Sequence, residues 1–245
     1  MDIHKPKPWH GLREFLKEIG TIVIGVLIAL AAEAVVQKFH EMRQSEEARA
    51  AVRDEINLDL ANMKRRNTLE PCITRRVAEL SDFVARAEAG EPVQPPLTIG
   101  AAGHPTVSVD RWEAVTAGGR TSLLSLQEQR TFARIYVLFM AYQANKATER
   151  EVWGDLIGLE GVRRPSPELL AQARAALGRA RLLDISVRGN LYEASLFAAQ
   201  IGIKGEVPGI AAQAPQSYKD QAICQPLSMP AEESARLAGP RPLTP

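Results

Sequence analysis

The chain has 245 residues, 45% of them hydrophobic, and a formal net charge of +1. This length is enough for an N-terminal segment and one well-packed domain. The near-neutral charge argues against nucleic acid as a partner, because phosphate binding requires a basic patch or stripe. The densest basic clusters, at 64–66 and 75–76, are more typical of solvated helix faces.

An uncharged apolar run covers residues 19–32, near the start of the chain. Extended to 15–36, it reaches the roughly 17–25 residues that a membrane-spanning helix needs. The charged residues in this range are Lys17, Glu18 and Glu33, and all lie near its ends, where long side chains reach the headgroups. We therefore predict a cytoplasmic lead at 1–14 and a transmembrane helix at 15–36. The alternatives are a cleaved signal peptide and a buried core helix.

Basic residues are nearly balanced on the two sides of this segment, so the positive-inside rule carries little information. A short basic tail before a first span usually stays in the cytoplasm. This predicts a single-pass protein of a bacterial inner membrane with a periplasmic C-terminal domain. Thr21, Gly25 and Ala29 fall on one helix face, and such small residues let two membrane helices pack closely. They are candidates for self-association, although Gly and Ala are also common in membrane spans.

An extramembrane helical domain is predicted over 37–205. Residues 37–67 contain neither Pro nor Gly and are rich in helix formers. The apolar spacing within 73–84 predicts a second amphipathic helix, which ends near Gly90. Residues 91–106 are rich in Pro and Gly and predict a loop that is long for one inside a domain.

Three further helix starts follow. Asp110 can cap a short helix, and Ser125 with Glu128 forms a capping box, in which each side chain satisfies a free backbone N–H. Ser166, followed by a proline, is an N-cap for a last long helix. That helix carries a heptad-like face of apolar and small residues over 169–201, which implies close helix packing. The face consists of Leu169, Ala173, Ala176, Ala180, Leu183, Val187, Asn190, Ala194, Phe197 and Ile201.

The chain changes character after residue 205, where repeated prolines disfavour regular helix. We predict an irregular, Pro-rich tail over 206–245, in which Tyr218 to Cys224 is the part that could dock on the domain. No segment alternates apolar and polar residues as a half-buried strand does. The predicted fold is therefore all-α, with an N-terminal transmembrane helix that continues into an antiparallel helical bundle.

The two cysteines, Cys72 and Cys224, are far apart and lack C-x-x-C spacing, which argues against a metal or redox motif. Outside the cytoplasm they could form a long-range disulfide that ties the tail to the start of the domain. The alternative is two buried or free thiols.

Motifs for catalysis and cofactor binding are missing from the sequence. There is no Walker A loop and no G-x-S-x-G elbow. His40-Glu41 begins like a zinc-protease motif, but Gln44 occupies the position of the second histidine ligand. We therefore predict no catalytic residues, no metal site and no cofactor.

Five side chains are candidates for lining a small pocket. An aromatic residue and an arginine flank the turn at 118–119, and three aromatic residues follow on the next helix. They are Trp112, Arg120, Tyr136, Tyr142 and Trp153. The alternative is that these aromatic rings are ordinary core residues, as stripes of aromatic residues on helices usually are.

Two parts of the chain carry a family resemblance. The first part is 13–19 running into 23–30, and the second is Trp112-Glu113-Ala114-Val115 with Gly119-Arg120, Leu123-Leu124-Ser125 and Tyr136. Together they resemble a group of uncharacterised bacterial single-span membrane proteins that carry a domain of unknown function (DUF6090-like). The resemblance covers about half of the chain. It implies an uncleaved N-terminal anchor and a helical extramembrane domain, and it supplies no catalytic residues.

Three functions remain as hypotheses. The first is a membrane-anchored domain that senses a ligand or binds a partner, with the lipid bilayer as one partner and the protein partner unidentified. The second is an oligomeric structural or assembly factor of the cell envelope, which requires apolar surface exposed on the 169–201 helix or self-association of the membrane helix. The third is an enzyme, which the missing catalytic motifs disfavour.

Overall fold

The computed structural model of the chain describes residues 11–103, 105–207 and 221–238. These residues form helices and irregular segments without a strand, so the predicted all-α class is confirmed. Most of the predicted lead at 1–14, and parts of the predicted tail, lie outside the described residues.

The chain divides into two compact units, Met1–Arg49 and Ala50–Pro245. The described part contains six α-helices and two short 3-10 turns. They are α1 (Leu12–Asn67), α2 (Glu70–Glu88), α3 (Asp110–Ala117), the turn Arg120–Leu123, α4 (Leu126–Ile157), α5 (Pro167–Gln200), the turn Ala222–Cys224 and α6 (Ala231–Ala238).

The first unit contains the N-terminal part of α1. Among the described residues, this is the one helix that is long and apolar enough to cross a membrane. None of its apolar window is buried within the structure. A core helix of a soluble protein is mostly buried, so this exposure counts against the core-helix alternative. A signal sequence near the N-terminus passes the same test of length and composition, so the signal-peptide alternative stays a prediction.

The second unit is built around α2, α4 and α5. The local signals for α4 and α5 are present in the structure. Ser125 Oγ accepts the backbone N–H of Glu128, and Glu128 Oε2 accepts the backbone N–H of Ser125. Ser166 Oγ accepts the backbone N–H of Leu169 at the start of α5. These bonds satisfy donors that the first turn of a helix leaves free, which fixes where each helix begins.

The core of this unit lies where α5 packs against α4 and α2. Trp153 of α4 is its largest fully buried side chain. Small residues of α5, such as Ala176 and Ala180, face the neighbouring helices and allow close approach. Ile223, from the C-terminal segment, completes the same cluster.

Part of the predicted tail is regular, and the prediction of an irregular tail is wrong for residues 231–238. Residues Ala231–Ala238 form α6, and Pro230 accepts the first backbone hydrogen bonds of this helix. Proline disrupts a helix interior but suits its beginning. Because Pro230 and Pro240 flank the helix, the gap between them leaves room for two helical turns.

The C-terminal segment is attached to α2 and to the loop after α2. Cys72 and Cys224, the candidate pair, are joined by a disulfide with an S–S distance of 2.08 Å. The fully buried guanidinium of Arg76 donates to the carbonyl oxygens of Thr98, Ile99, Ile223 and Gln225. One side chain therefore holds together three stretches of chain that are distant in sequence.

Candidate functional site on helix α5

Helix α5 has two opposite apolar faces. The face predicted from sequence packs into the domain, and all ten of its residues are buried or half-buried. The other face, which we call the outer stripe, was not predicted. It begins two residues later and repeats with the same alternating steps of four and three residues. The outer stripe consists of Ala171, Ala175, Gly178, Leu182, Ile185, Gly189, Tyr192, Leu196 and Ala199.

Every residue of the outer stripe is exposed and none is charged. Its large side chains keep much of their surface in contact with solvent: Leu182 is 67% exposed, Ile185 58%, Tyr192 66% and Leu196 49%. Single exposed apolar residues are normal, but a continuous apolar strip usually marks a place where another molecule binds. The alternating spacing of three and four is the pattern by which one helix packs along another.

Arginines flank the outer stripe, and they are held by neighbouring side chains of this domain. Arg179 lies 2.7 Å from Asp155 of α4, and Arg188 lies 3.0 Å from Asp184. Arg174 pairs with Glu88 of α2. The remaining one, Arg181, donates to Ser81 Oγ. The carboxylate partners reduce the net positive charge beside the stripe, which makes the apolar surface its dominant property.

A cavity of 360 Å³ opens between α2 and α5 beside the outer stripe. Its walls are mainly apolar, and Ile185 belongs both to the cavity and to the stripe. The lining residues are Ile73, Thr74, Val77, Ala78, Ala180, Arg181, Asp184, Ile185 and Arg188. The cavity and the stripe therefore form one continuous surface.

Buried charges below this surface fix the position of α5. Arg66 of α1 places Nη2 2.7 Å from Glu149 Oε1 of α4 and 3.7 Å from Asp184 Oδ1 of α5. Trp153 Nε1 donates to the same Glu149 oxygen. Burial raises the pKa of Asp184, although Arg66 and Arg188 oppose this effect. Removing one member would leave a charge buried without its partner, so these bonds hold three helices in register.

The five candidate pocket residues lie in different environments. The rings of Trp112 and Tyr136 stack with centroids 5.4 Å apart. Tyr136, Tyr142 and Trp153 are buried in the domain, whereas Arg120 is exposed in its 3-10 turn. None of the five lines either of the two cavities that we describe. The predicted pocket therefore stays a prediction without a cavity to support it.

Beneath the Trp112–Tyr136 stack, two acidic residues of α1 hold the segment that leads into α3. Tyr136 donates to Glu55 Oε2 at 2.5 Å, and Glu55 Oε1 accepts the backbone N–H of Arg111. Asp59 Oδ2 accepts the backbone N–H of Ser108. Burial raises the pKa of Asp59 to about 7, the Ser108 bond opposes this, and the nearby charges of Glu55 and Asp110 add to it. Burial likewise raises the pKa of Tyr136.

Within 11–103, 105–207 and 221–238, no cluster of three or more His, Cys, Asp or Glu side chains has a suitable arrangement to hold a metal ion. The second cavity, of 590 Å³, lies at the Pro-rich first part of the loop between α2 and α3, with Arg163 as its charged lining residue.

The membrane-helix candidates Thr21, Gly25 and Ala29 are exposed on α1. No neighbouring atom lies within 4 Å of a side chain built at Gly25, so space for close helix packing exists there. Their role in self-association stays a prediction, because the structure contains one copy of the chain.

The sequence itself contains the signal for the outer stripe. Starting the same alternating pattern at Ala171 instead of Leu169 gives an uninterrupted series of apolar or small residues. A helix that is apolar on two opposite sides is either fully buried or has a second partner.

Comparison with known proteins identified no relative. No protein-family model, no curated protein and no solved structure matches the chain.

Proposed function

We propose that this is a single-span membrane protein whose helical domain acts by binding another protein through the outer stripe of α5. The exposed, uncharged, regularly spaced stripe carries the proposal. Of the hypotheses drawn from the sequence, it favours partner binding or assembly over ligand sensing by aromatic residues. No catalytic group or cofactor is part of this function.

Membrane anchoring by 15–36 belongs to the proposal and is supported by the apolar, unburied N-terminal part of α1. We place the anchor in a bacterial inner membrane, with the N-terminus in the cytoplasm and the domain in the periplasm. The Cys72–Cys224 disulfide supports this orientation, because disulfides persist in oxidising compartments and are rare in the cytosol. The resemblance to uncharacterised single-span proteins agrees with the same arrangement. A reporter that is active in only one compartment, fused to the C-terminus, tests it: activity of a cytoplasmic reporter would refute it.

Covering the stripe contributes enough free energy for a partner to bind when both proteins are held in the same membrane. Fully covering a large apolar side chain contributes about 1.5–3 kcal/mol. The four large stripe residues are about half to two-thirds exposed, so covering them contributes on the order of 4–8 kcal/mol. Association costs about 4–15 kcal/mol of lost freedom. Holding both partners in one membrane raises their effective concentration and tips this balance toward binding.

The test compares complexes in native membranes. Chains are solubilised mildly, and their size is measured by native electrophoresis and by chemical cross-linking. Wild type is expected to run well above the 26.8 kDa of one chain, and a Leu182→Arg/Tyr192→Arg variant is expected to lose that complex. Val137→Arg is the matched control, because Val137 is 58% exposed on α4, outside the stripe. If the stripe variant keeps the wild-type complex, the proposed function is refuted.

A further inference from the structure

We propose that the cavity between α2 and α5 is a binding site for a single-chain anionic amphiphile, of which a fatty carboxylate is the simplest member. The apolar chain lies along the cavity, and the carboxylate lies at the end of the cavity where Arg181 is. This site goes beyond the proposed function, and neither of the two depends on the other.

Arginines on α5 face α2 at steps of seven residues. Arg174 pairs with Glu88, and Arg181 Nη2 donates to Ser81 Oγ at 2.7 Å. A step of seven forward on α5 thus corresponds to a step of seven backward on α2, so the two helices run antiparallel. At the first level α2 supplies a carboxylate, but at the second it supplies only a hydroxyl. The positive charge of the second arginine is therefore not balanced by α2.

One more step of seven places Arg188 at the level of Thr74, and both residues line the cavity. Arg188 is held by Asp184 of its own helix at 3.0 Å, and the same aspartate lies 3.7 Å from the buried Arg66. Within the part of the chain that the structure describes, Arg181 has no carboxylate partner. Two arginines and one aspartate therefore line the cavity, which gives it a net positive charge that favours an anionic ligand.

The two ends of the cavity differ in charge. At the far end, Thr74 Oγ1 donates to Glu70 at 2.8 Å, and the charge of Arg188 is already paired with Asp184. Both carboxylates disfavour an anion there. The anionic group of the ligand is therefore placed at the Arg181 end, where a guanidinium can donate to it.

The rest of the cavity suits a hydrocarbon chain. Ile73, Val77 and Ala180 are buried and form its floor, while Ala78 and Ile185 are exposed at its rim. The levels of the two arginines are ~10 Å apart along the helix, which gives a chain room to lie lengthwise. The volume of 360 Å³ is near the lower end of the roughly 300–1,000 Å³ of ligand sites, which favours one short chain over a two-chain lipid.

Photo-cross-linking of the full chain in phosphatidylcholine vesicles tests the site. The probe is decanoate with a diazirine in its chain, and mass spectrometry identifies the labelled peptides. We expect label on the parts of α2 and α5 that line the cavity, and unlabelled decanoate should compete with it. Decanol and decyltrimethylammonium have the same chain with a neutral or a positive head. At equal concentration in the bilayer, each should compete about tenfold less well.

Two variants separate the charge from the apolar cavity. Arg181→Gln keeps a hydrogen-bond donor and removes the charge, so labelling should fall about tenfold. Its matched control is Arg179→Gln, because Arg179 is exposed on the same helix and pairs with Asp155. Ala78→Phe fills the cavity from its exposed rim and should abolish labelling, whereas Ala85→Phe, exposed elsewhere on α2, should not.

A urea unfolding midpoint equal to wild type checks that each variant keeps the fold. If Ala78→Phe lowers the midpoint, Thr74→Phe, which is exposed at the other end of the cavity, takes its place. Equal labelling of wild type and the cavity-filling variant would show that the probe reacts from the bilayer without a site, and would overturn the proposal. Labelling that the filled cavity blocks, but that ignores both Arg181→Gln and the charge of the competitor, would overturn the anionic ligand.

Discussion

Asp59 gives the most quantitative prediction, because the residue is 2% exposed and burial raises the pKa of its carboxyl to about 7. Replacing it with asparagine keeps an oxygen that can accept the backbone N–H of Ser108 and removes the ionisation. We expect Asp59→Asn to be about as stable as wild type in acid and more stable than wild type at pH 8.

The direction follows from proton linkage. The ordinary pKa of the carboxyl is 3.8, so the folded chain holds a proton that the unfolded chain releases between about pH 4 and pH 7. The free energy of unfolding of wild type therefore falls as pH rises through that window. Above about pH 7, the Asp59 carboxyl makes no further change to it. At about 1.36 kcal/mol per pKa unit, the loss between pH 5 and pH 8 is about 2–3 kcal/mol, and the whole window is worth about 4 kcal/mol.

Urea unfolding of the full chain in detergent, followed by tryptophan fluorescence, to which the buried Trp153 contributes, measures this difference at pH 5, 6, 7 and 8. The free energy of unfolding of wild type should approach that of Asp59→Asn in acid and fall below it as pH rises. Asp54→Asn is the matched control, since Asp54 is exposed on the same helix. Parallel curves for wild type and Asp59→Asn over this range would show that the carboxyl is ionised in the folded chain, contrary to our reasoning.

Three further predictions concern the stability of the domain. Cys72→Ser should lower the unfolding free energy by up to about 5 kcal/mol, because the disulfide closes a loop with a sequence separation of 152. Adding reductant to wild type should cause the same loss. An unchanged urea midpoint in either case would contradict this prediction. Glu149→Gln should lower the free energy of unfolding by about 3 kcal/mol, since it leaves the buried guanidinium of Arg66 without its nearest counter-charge. Glu151→Gln, on the exposed side of the same helix, should leave the free energy of unfolding unchanged. Equal losses for the two variants in urea titrations would argue against a structural ion pair. Gly100→Ala should lower the free energy of unfolding by about 2 kcal/mol or more, because Gly100 has a φ of +69° and its new Cβ would overlap the C-terminal backbone. Gly90→Ala should lower it less, because Gly90 has a similar φ of +74° but lies in open space. The reverse order of thermal midpoints would refute the overlap.

Local features of the fold were predictable from the sequence. The starts of α4 and α5 depend on hydrogen bonds between residues three apart, and Ser125 and Ser166 make those bonds in the structure. The inner face of α5 was predictable because helical periodicity identifies an apolar side directly.

Features that depend on contacts between distant parts of the chain were harder to predict from the sequence. Arg76 and Asp59 read as ordinary charged residues of soluble helices, and only the folded chain shows that loop backbone covers them. The outer stripe was visible in principle, since its pattern is as regular as that of the inner face. Sequence periodicity identifies two apolar sides of α5, and the structure was needed to show which side the domain itself leaves exposed.

Arg76 also imposes an order on the biogenesis of the domain. Two of its carbonyl partners come 22 and 23 residues later in the chain, but the other two come 147 and 149 residues later. At about 5–20 residues per second, the ribosome delivers the last of them roughly 7–30 s after Arg76 itself. Until then the guanidinium cannot be buried without leaving donors unpaired, so that face of α2 must stay in water. The domain therefore closes only when synthesis is nearly complete, and a chain that stops before residue 225 is left with an open side.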